Sequence, residues 1–297
     1  MARIVMKFGG TSVKDAEAFL RVAKIVASQK EEFPIVVTSA MAKVTDALLN
    51  AFELAKKGDS GEAFSSLEEH FDRHKDVAEE LLDKPRQTAF LAELELSKEE
   101  LSGLLLRVER RSLPLQMLKD AIVSYGEQLS SRLLAEVCKA NELNARQVDS
   151  RRVIVTDDEY GSAKPIWDET EKFVQLELNS LQEAGEIPIM GGFIAANRSG
   201  ETTTLGRGGS DYSAALVGAA LQAKEIQIWT DVDGVYQVID GKQRLSSMIV
   251  YECKRQKTTS TLKVPLLLPR LRICTNILEF FEEFPKALEP FICIFLY

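Results

Sequence analysis

The sequence predicts an α/β protein built on a parallel sheet, and three observations carry that expectation. An apolar run from Arg3 to Phe8 ends in Gly9-Gly10-Thr11-Ser12 and leads into Val13, Ala16, Phe19, Leu20, Ala23, Val26 and Ala27, spaced as one helix face. A second run, Pro34 to Thr38, ends in the small-residue turn Ser39-Ala40-Met41-Ala42. A third turn, Gly206-Arg207-Gly208-Gly209-Ser210-Asp211, opens the segment Tyr212 to Leu221, small and apolar on every side, which reads as a buried helix. Strand, turn and helix in this rhythm imply ligands at the carboxyl ends of the strands.

From about Thr45 to Asp120 the chain is helical and heavily charged, broken at Gly58, Gly61, Pro85 and Pro114. It reads as a helical insertion, about residues 46–120, serving as a lid. His70 and His74 stand four apart within it. Phe71 follows His70 where a zinc protease has its glutamate, and no third ligand is evident, so the pair reads as a solvated helix face and no metal site is expected. Ala121 to Ala140 is a further helix with Ser124-Tyr125-Gly126-Glu127 near its start. Val153 to Thr156 reads as a strand before Asp157-Asp158, and Glu171 to Ala184 as a helix. Ile187 to Ala196 reads as one strand with Gly191-Gly192 in its middle. Arg198-Ser199-Gly200 then turns the chain into Thr202-Thr203-Thr204 as a hairpin. Ile226 to Thr230 is another strand, followed by Asp231-Val232-Asp233-Gly234-Val235-Tyr236.

The character changes beyond Tyr236. The last glycine is Gly241, basic residues follow (Lys254, Arg255, Lys257), and the remaining apolar runs are interrupted by prolines. The closing run, Phe291 to Tyr297, resembles an exposed strand prone to aggregation.

Composition narrows the function classes. The 297 residues are 45% hydrophobic and 28% charged, as in soluble globular proteins. A net charge of −8 argues against a nucleic-acid or anionic-membrane partner. Four scattered cysteines (Cys138, Cys253, Cys274, Cys293) show neither a CxxC pair nor zinc spacing, which fits a cytoplasmic protein. No stretch approaches the ~18 apolar residues of a membrane span.

Four glycine- or hydroxyl-rich turns follow strands: Gly9 to Ser12, Ser39 to Ala42, Gly206 to Asp211 and Thr230 to Tyr236. A glycine-rich loop opening a helix offers N–H groups at the positive end of the dipole, a seat for an anion. Arg207 adds a planar fork suited to carboxylate or phosphate, although a plain glycine turn with a surface arginine has the same spelling. Together the turns imply a polyphosphate and a second anionic substrate. Lys7 stands ahead of the first turn, within reach of a phosphate. The alternative is a surface lysine on an edge strand, but burying an unpaired charge inside an apolar run is costly.

The ordered set resembles a family. Lys7-Phe8-Gly9-Gly10-Thr11-Ser12-Val13 is similar to the N-terminal signature of aspartate kinases, members of the amino-acid kinase superfamily. The loop Gly206 to Asp211, the run Thr230 to Tyr236, Ser124 to Glu127 and Val155 to Asp158 resemble further motifs of that family, so the likeness covers about residues 1–236. It implies a three-layer α/β/α fold with an open, mainly parallel sheet and a helical insertion. It also implies phosphoryl transfer from ATP, carried with Mg2+, to the β-carboxylate of L-aspartate, giving 4-phospho-L-aspartate at the head of lysine, threonine and methionine synthesis. By this resemblance Lys7 neutralises the transferring phosphoryl group beside Gly9 and Gly10, and Asp211 orients Lys7 or a metal-bound water. Arg207 and Ser210 hold the α-carboxylate, Glu127 pairs with the α-ammonium, and Thr45 adds a hydroxyl. Thr230, Asp231 and Tyr236 flank the nucleotide. For Glu127 the alternative is a solvent-facing helix residue, and for Tyr236 a core residue. A homo-oligomer is compatible with the family.

The likeness ends at Gln237. The family's Asp-Pro-Arg element, its Gly-Ala-Lys segment and its effector-binding domains have no counterpart in 237–297, which reads as an atypical tail from a truncated or frameshifted frame. Feedback regulation is therefore not expected, and the ATP half of the site is expected to be incomplete. The competing reading is a catalytically silent remnant that binds aspartate or a partner chain.

Overall fold

The computed structural model describes residues 3–230 and the strand 291–296. Its strands are β1 (Ile4–Phe8), β2 (Pro34–Thr38), β3 (Ala145–Val148), β4 (Val155–Thr156), β5 (Ile187–Gly191), β6 (Ile194–Asn197), β7 (Thr202–Thr204), β8 (Glu225–Thr230) and β9 (Phe291–Leu296). Six of them form one sheet in the order β3-β5-β2-β1-β8-β9, and every pairing in it is parallel. The other three form a small sheet, β4-β6-β7, in which only the β6–β7 hairpin is antiparallel.

Alternation along β1 divides the core. Ile4, Met6 and Phe8 join one buried cluster, while Val5 joins the other. The first cluster is completed by α1 (Ala16–Ser28), α2 (Val44–Lys56), α3 (Ser60–Ser65), α4 (Glu68–Leu81), α5 (Lys84–Glu109), α6 (Leu115–Val123) and α7 (Tyr125–Ala140). The second is completed by α8 (Trp167–Glu183) and α9 (Gly209–Ala220). A sheet between two helical layers is the expected three-layer α/β/α arrangement. None of the described helices is long and apolar enough to cross a membrane.

Several elements differ from the sequence reading. Ile187 to Ala196 is two strands in two sheets. The chain leaves β5 after Gly191 and turns at Phe193, whose φ of 67° is left-handed, before entering β6. Both halves are apolar, so hydrophobicity alone does not register the change of sheet. The segment 121–140 is broken at Ser124 between α6 and α7, and the strand expected over 153–156 is reduced to Val155–Thr156. The edge strand β3 has no apolar run to announce it, because Arg146 and Gln147 occupy its centre. Of the tail beyond Tyr236, the closing run does form a strand, paired in register with β8; residues 237–290 lie outside the described residues.

Candidate active site

The carboxyl ends of β1, β2 and β5 open into a cavity of about 550 Å³. Turns after the strands form its floor. Helices α2 and α6, from the helical insertion, and the start of α7 form the facing wall, through Thr45, Asp46, Leu49, Lys119, Asp120 and Glu127 among others.

Lys7 lies on an interior strand. Its backbone pairs with Val37 on one side and Ile228 on the other, so the edge-strand alternative is excluded. It shares the face of Val5, the face covered by α9. Its ammonium therefore meets the first turn of α9, where Asp211 Oδ1 lies 2.7 Å from Lys7 Nζ, the two side chains 12% and 29% exposed. Asp211 is favoured there by the helix dipole. The pair neutralises a charge that the sheet interior would otherwise disfavour.

The loop before α9 needs glycine at Gly208. That residue caps the helix at φ 76°, a left-handed conformation costly for residues with a Cβ, and its carbonyl accepts the N–H groups of Asp211 and Tyr212. Arg207 is exposed and Ser210 half-buried, and both line the cavity.

Glu127 is not the solvent-facing residue of the alternative reading; it is 3% exposed. Gly126 lets α7 come this close, since a Cβ on it would lie 2.7 Å from that of Ala40. The Ala40 N–H donates to Glu127 Oε1 at 3.3 Å, whereas Oε2 is buried without a hydrogen-bond partner. Burial pushes this carboxyl up to about 8, and the Ala40 N–H opposes it only in part. An orphaned carboxylate oxygen in a cavity wall is a seat for a cationic donor.

Lys7, Gly10, Thr45, Glu127, Arg207, Ser210 and Asp211 are thus brought to one cavity. Gly9 is not among its lining residues, although a Cβ there would lie 3.9 Å from Lys7 Nζ. Thr230 is the last residue of β8, while Asp231 and Tyr236 lie outside the described residues.

Other residues escaped the sequence reading. Asp120, 1% exposed, lines the cavity while its Oδ2 accepts the N–H groups of Gly161 (2.7 Å) and Thr204 (2.9 Å). Burial raises its pKa, and those two N–H groups pull it back. Arg73 of α4 donates to the carbonyls of Ala42 and Lys14, each at 2.9 Å, and so ties together the segments following β2 and β1. Both sit in a charged stretch where surface charge is the natural assumption. His74 corrects the solvated-face reading. It is fully buried, its Nδ1 2.7 Å from the His70 carbonyl oxygen, and burial lowers its pKa to about 4. Among the described residues no group of three His, Cys, Asp or Glu side chains is arranged to hold a metal.

Parallel strands ending in a charged cavity, with a lysine–aspartate pair beside a glycine-rich helix start, form a site of the kind that α/β folds build at the carboxyl ends of their strands. The family model described as "Amino acid kinase family" matches residues 2–271, and the chain belongs to that family. It is 33% identical to lysine-sensitive aspartokinase 3 of Escherichia coli K12 over 98% of its own length and 64% of the relative's. It is 40% identical to the chloroplastic aspartokinase 3 of Arabidopsis thaliana over 78% of its length and 41% of the relative's. The crystal structure of E. coli aspartokinase III in complex with aspartate and ADP (R-state) superposes with a TM-score of 0.72 and 36% identity, covering 79% of this chain and 50% of that one. These relatives bear out the resemblance to aspartate kinases, and the chain spans less than two thirds of their length.

Proposed function

We propose that this chain is an aspartate kinase domain, transferring the γ-phosphoryl group of Mg·ATP to the β-carboxylate of L-aspartate to give 4-phospho-L-aspartate and ADP. The similarity to aspartokinases, one of them solved with aspartate and ADP, supports the reading. The observation that carries it is the charge layout of the cavity. A buried carboxylate oxygen lacking a partner (Glu127 Oε2) shares it with the cations Arg207 and Lys7. An α-amino dicarboxylate has the complementary groups.

Glu127 takes the α-ammonium, Arg207 and Ser210 take the α-carboxylate, and Thr45 supplies a hydroxyl contact. The β-carboxylate then faces Lys7. Its unperturbed pKa is ~3.9, so the nucleophile is already ionised at neutral pH and no general base is required. A carboxylate oxygen forms the new bond to the γ-phosphorus as the bond to the ADP oxygen breaks, and ADP leaves with that electron pair. The remaining barrier is repulsion between two anions. Lys7, held by Asp211, lowers it by neutralising the transferring group, with positioning supplying the rest. Magnesium arrives with the nucleotide, held largely by phosphate oxygens, and supplies further charge neutralisation. Thr230, Asp231 and Tyr236 contribute to the nucleotide side.

The test is ATP- and aspartate-dependent acyl phosphate, trapped with hydroxylamine, in the wild type and Lys7→Ala. Aspartyl hydroxamate from the wild type alone supports the kinase. A folded wild type giving none while binding no nucleotide replaces it with the silent remnant.

A further inference from the structure

We infer that Asp120 is a positioning residue for the aspartate half of this cavity, its carboxylate fixing the loop that carries Arg207. The inference rests on the proposed function. Its physical basis is one oxygen shared by two backbone segments. Thr204 is the last residue of β7, two before Gly206, and its N–H donates to Asp120 Oδ2 at 2.9 Å. Gly161 belongs to the turn underneath and donates to the same oxygen at 2.7 Å. The turn and the loop are in close contact, since a Cβ on Gly206 would sit 3.3 Å from Ser162 Cβ, and the Ala163 N–H donates to the Thr204 carbonyl at 2.8 Å. Helix α6 thus holds both the strand entering the Arg207 loop and the turn that supports it.

A carboxylate suits this position because hydrogen bonds to a charged acceptor are the stronger ones, and burial keeps water from substituting for it. With Asp120 1% exposed, removing the acceptor leaves two N–H groups competing for other partners. The Arg207 loop then samples other positions, and a substrate carboxylate must restore the productive one at a cost in affinity. Asparagine retains one carbonyl oxygen that can accept both N–H groups, so it conserves the geometry and removes only the charge.

The experiment measures KM for aspartate and kcat in the full chain for the wild type, Asp120→Ala and Asp120→Asn, with aspartate affinity by calorimetry. Asp120→Ala is expected to raise the KM and Kd for aspartate at least about fivefold, with kcat changed by less than about threefold and with Asp120→Asn restoring most of the loss. If the alanine variant does not fold, Asp120→Ser, too short to hold both amides, carries the same expectation. A smaller rise, or a fall in kcat at unchanged KM, overturns the inference and leaves the kinase reading standing. A folded wild type with no affinity for aspartate overturns the kinase reading, and this inference with it.

Discussion

Glu127→Gln isolates the consequence of burying a carboxylate with one unpartnered oxygen. Burial lifts the carboxyl from 4.5 to about 8. Between those values the native state keeps the proton while the unfolded chain has lost it, so unfolding releases a proton and rising pH favours the unfolded chain. The neutral carboxyl carries no penalty below pH 4.5. The penalty grows as pH rises and levels off above pH 8. At about 1.36 kcal/mol per pH unit it is roughly 2 kcal/mol at pH 6, roughly 3 at pH 7 and on the order of 5 at the plateau. Glutamine has nearly the same shape and no titration. Urea unfolding of both proteins without aspartate, at pH 5, 6.5 and 8, should show the variant gaining on the wild type by about 3–4 kcal/mol across the series. Aspartate affinity of the variant should fall, because the ammonium has lost its counter-charge. A stability difference that stays flat from pH 5 to 8 would refute the argument, since it would mean that Glu127 is ionised or paired throughout.

Three further expectations follow from the geometry. Lys7→Ala should lower kcat for acyl-phosphate formation by at least about a hundredfold, as losses of transition-state charge stabilisation do, and a variant within tenfold of wild type counts against Lys7 in that role. Gly192→Ala should displace the start of α9 and with it the Arg207 loop, because its Cβ would fall 2.6 Å from the Ser210 Cα, a backbone atom in the first turn of that helix. We expect about 1–3 kcal/mol of lost stability by thermal unfolding and a raised aspartate KM; unchanged values of both would show that the loop yields freely. Arg73→Ala removes donors from the Ala42 and Lys14 carbonyls and should cost about 1–3 kcal/mol, discounted for partial exposure, together with a higher KM for both substrates. Wild-type stability and KM in that variant would dispose of the clamp.

The legible parts of this molecule are those whose signal is local. β1 and β2 are short, almost wholly apolar runs, and a strand buried on both faces is spelled that way. The glycine-rich start of α9 shows in three glycines within four residues, and Lys7 stood out because a cation inside an apolar strand requires a partner. The structure supplies that partner in Asp211. What stayed hidden depends on tertiary placement. Asp120 and Arg73 hydrogen-bond to the backbone of segments distant in sequence, and His74 packs inward from a helix whose neighbours are charged. The break between β5 and β6 is a change of sheet within an uninterrupted apolar run, visible only in where each half pairs. Glu127 lay between these cases: the motif named it, and only the structure displays its burial and orphaned oxygen.

The central claim is attack by the β-carboxylate of aspartate on the γ-phosphorus. Aspartate labelled with oxygen-18 in that carboxylate, incubated with ATP and the protein and then treated with hydroxylamine, tests it directly. Hydroxylamine displaces phosphate by attacking the carbonyl carbon, so the bridging oxygen leaves with the phosphorus. We predict inorganic phosphate carrying one label, read by its isotope shift in phosphorus NMR. Unlabelled phosphate would mean that water is the acceptor, and would contradict the account.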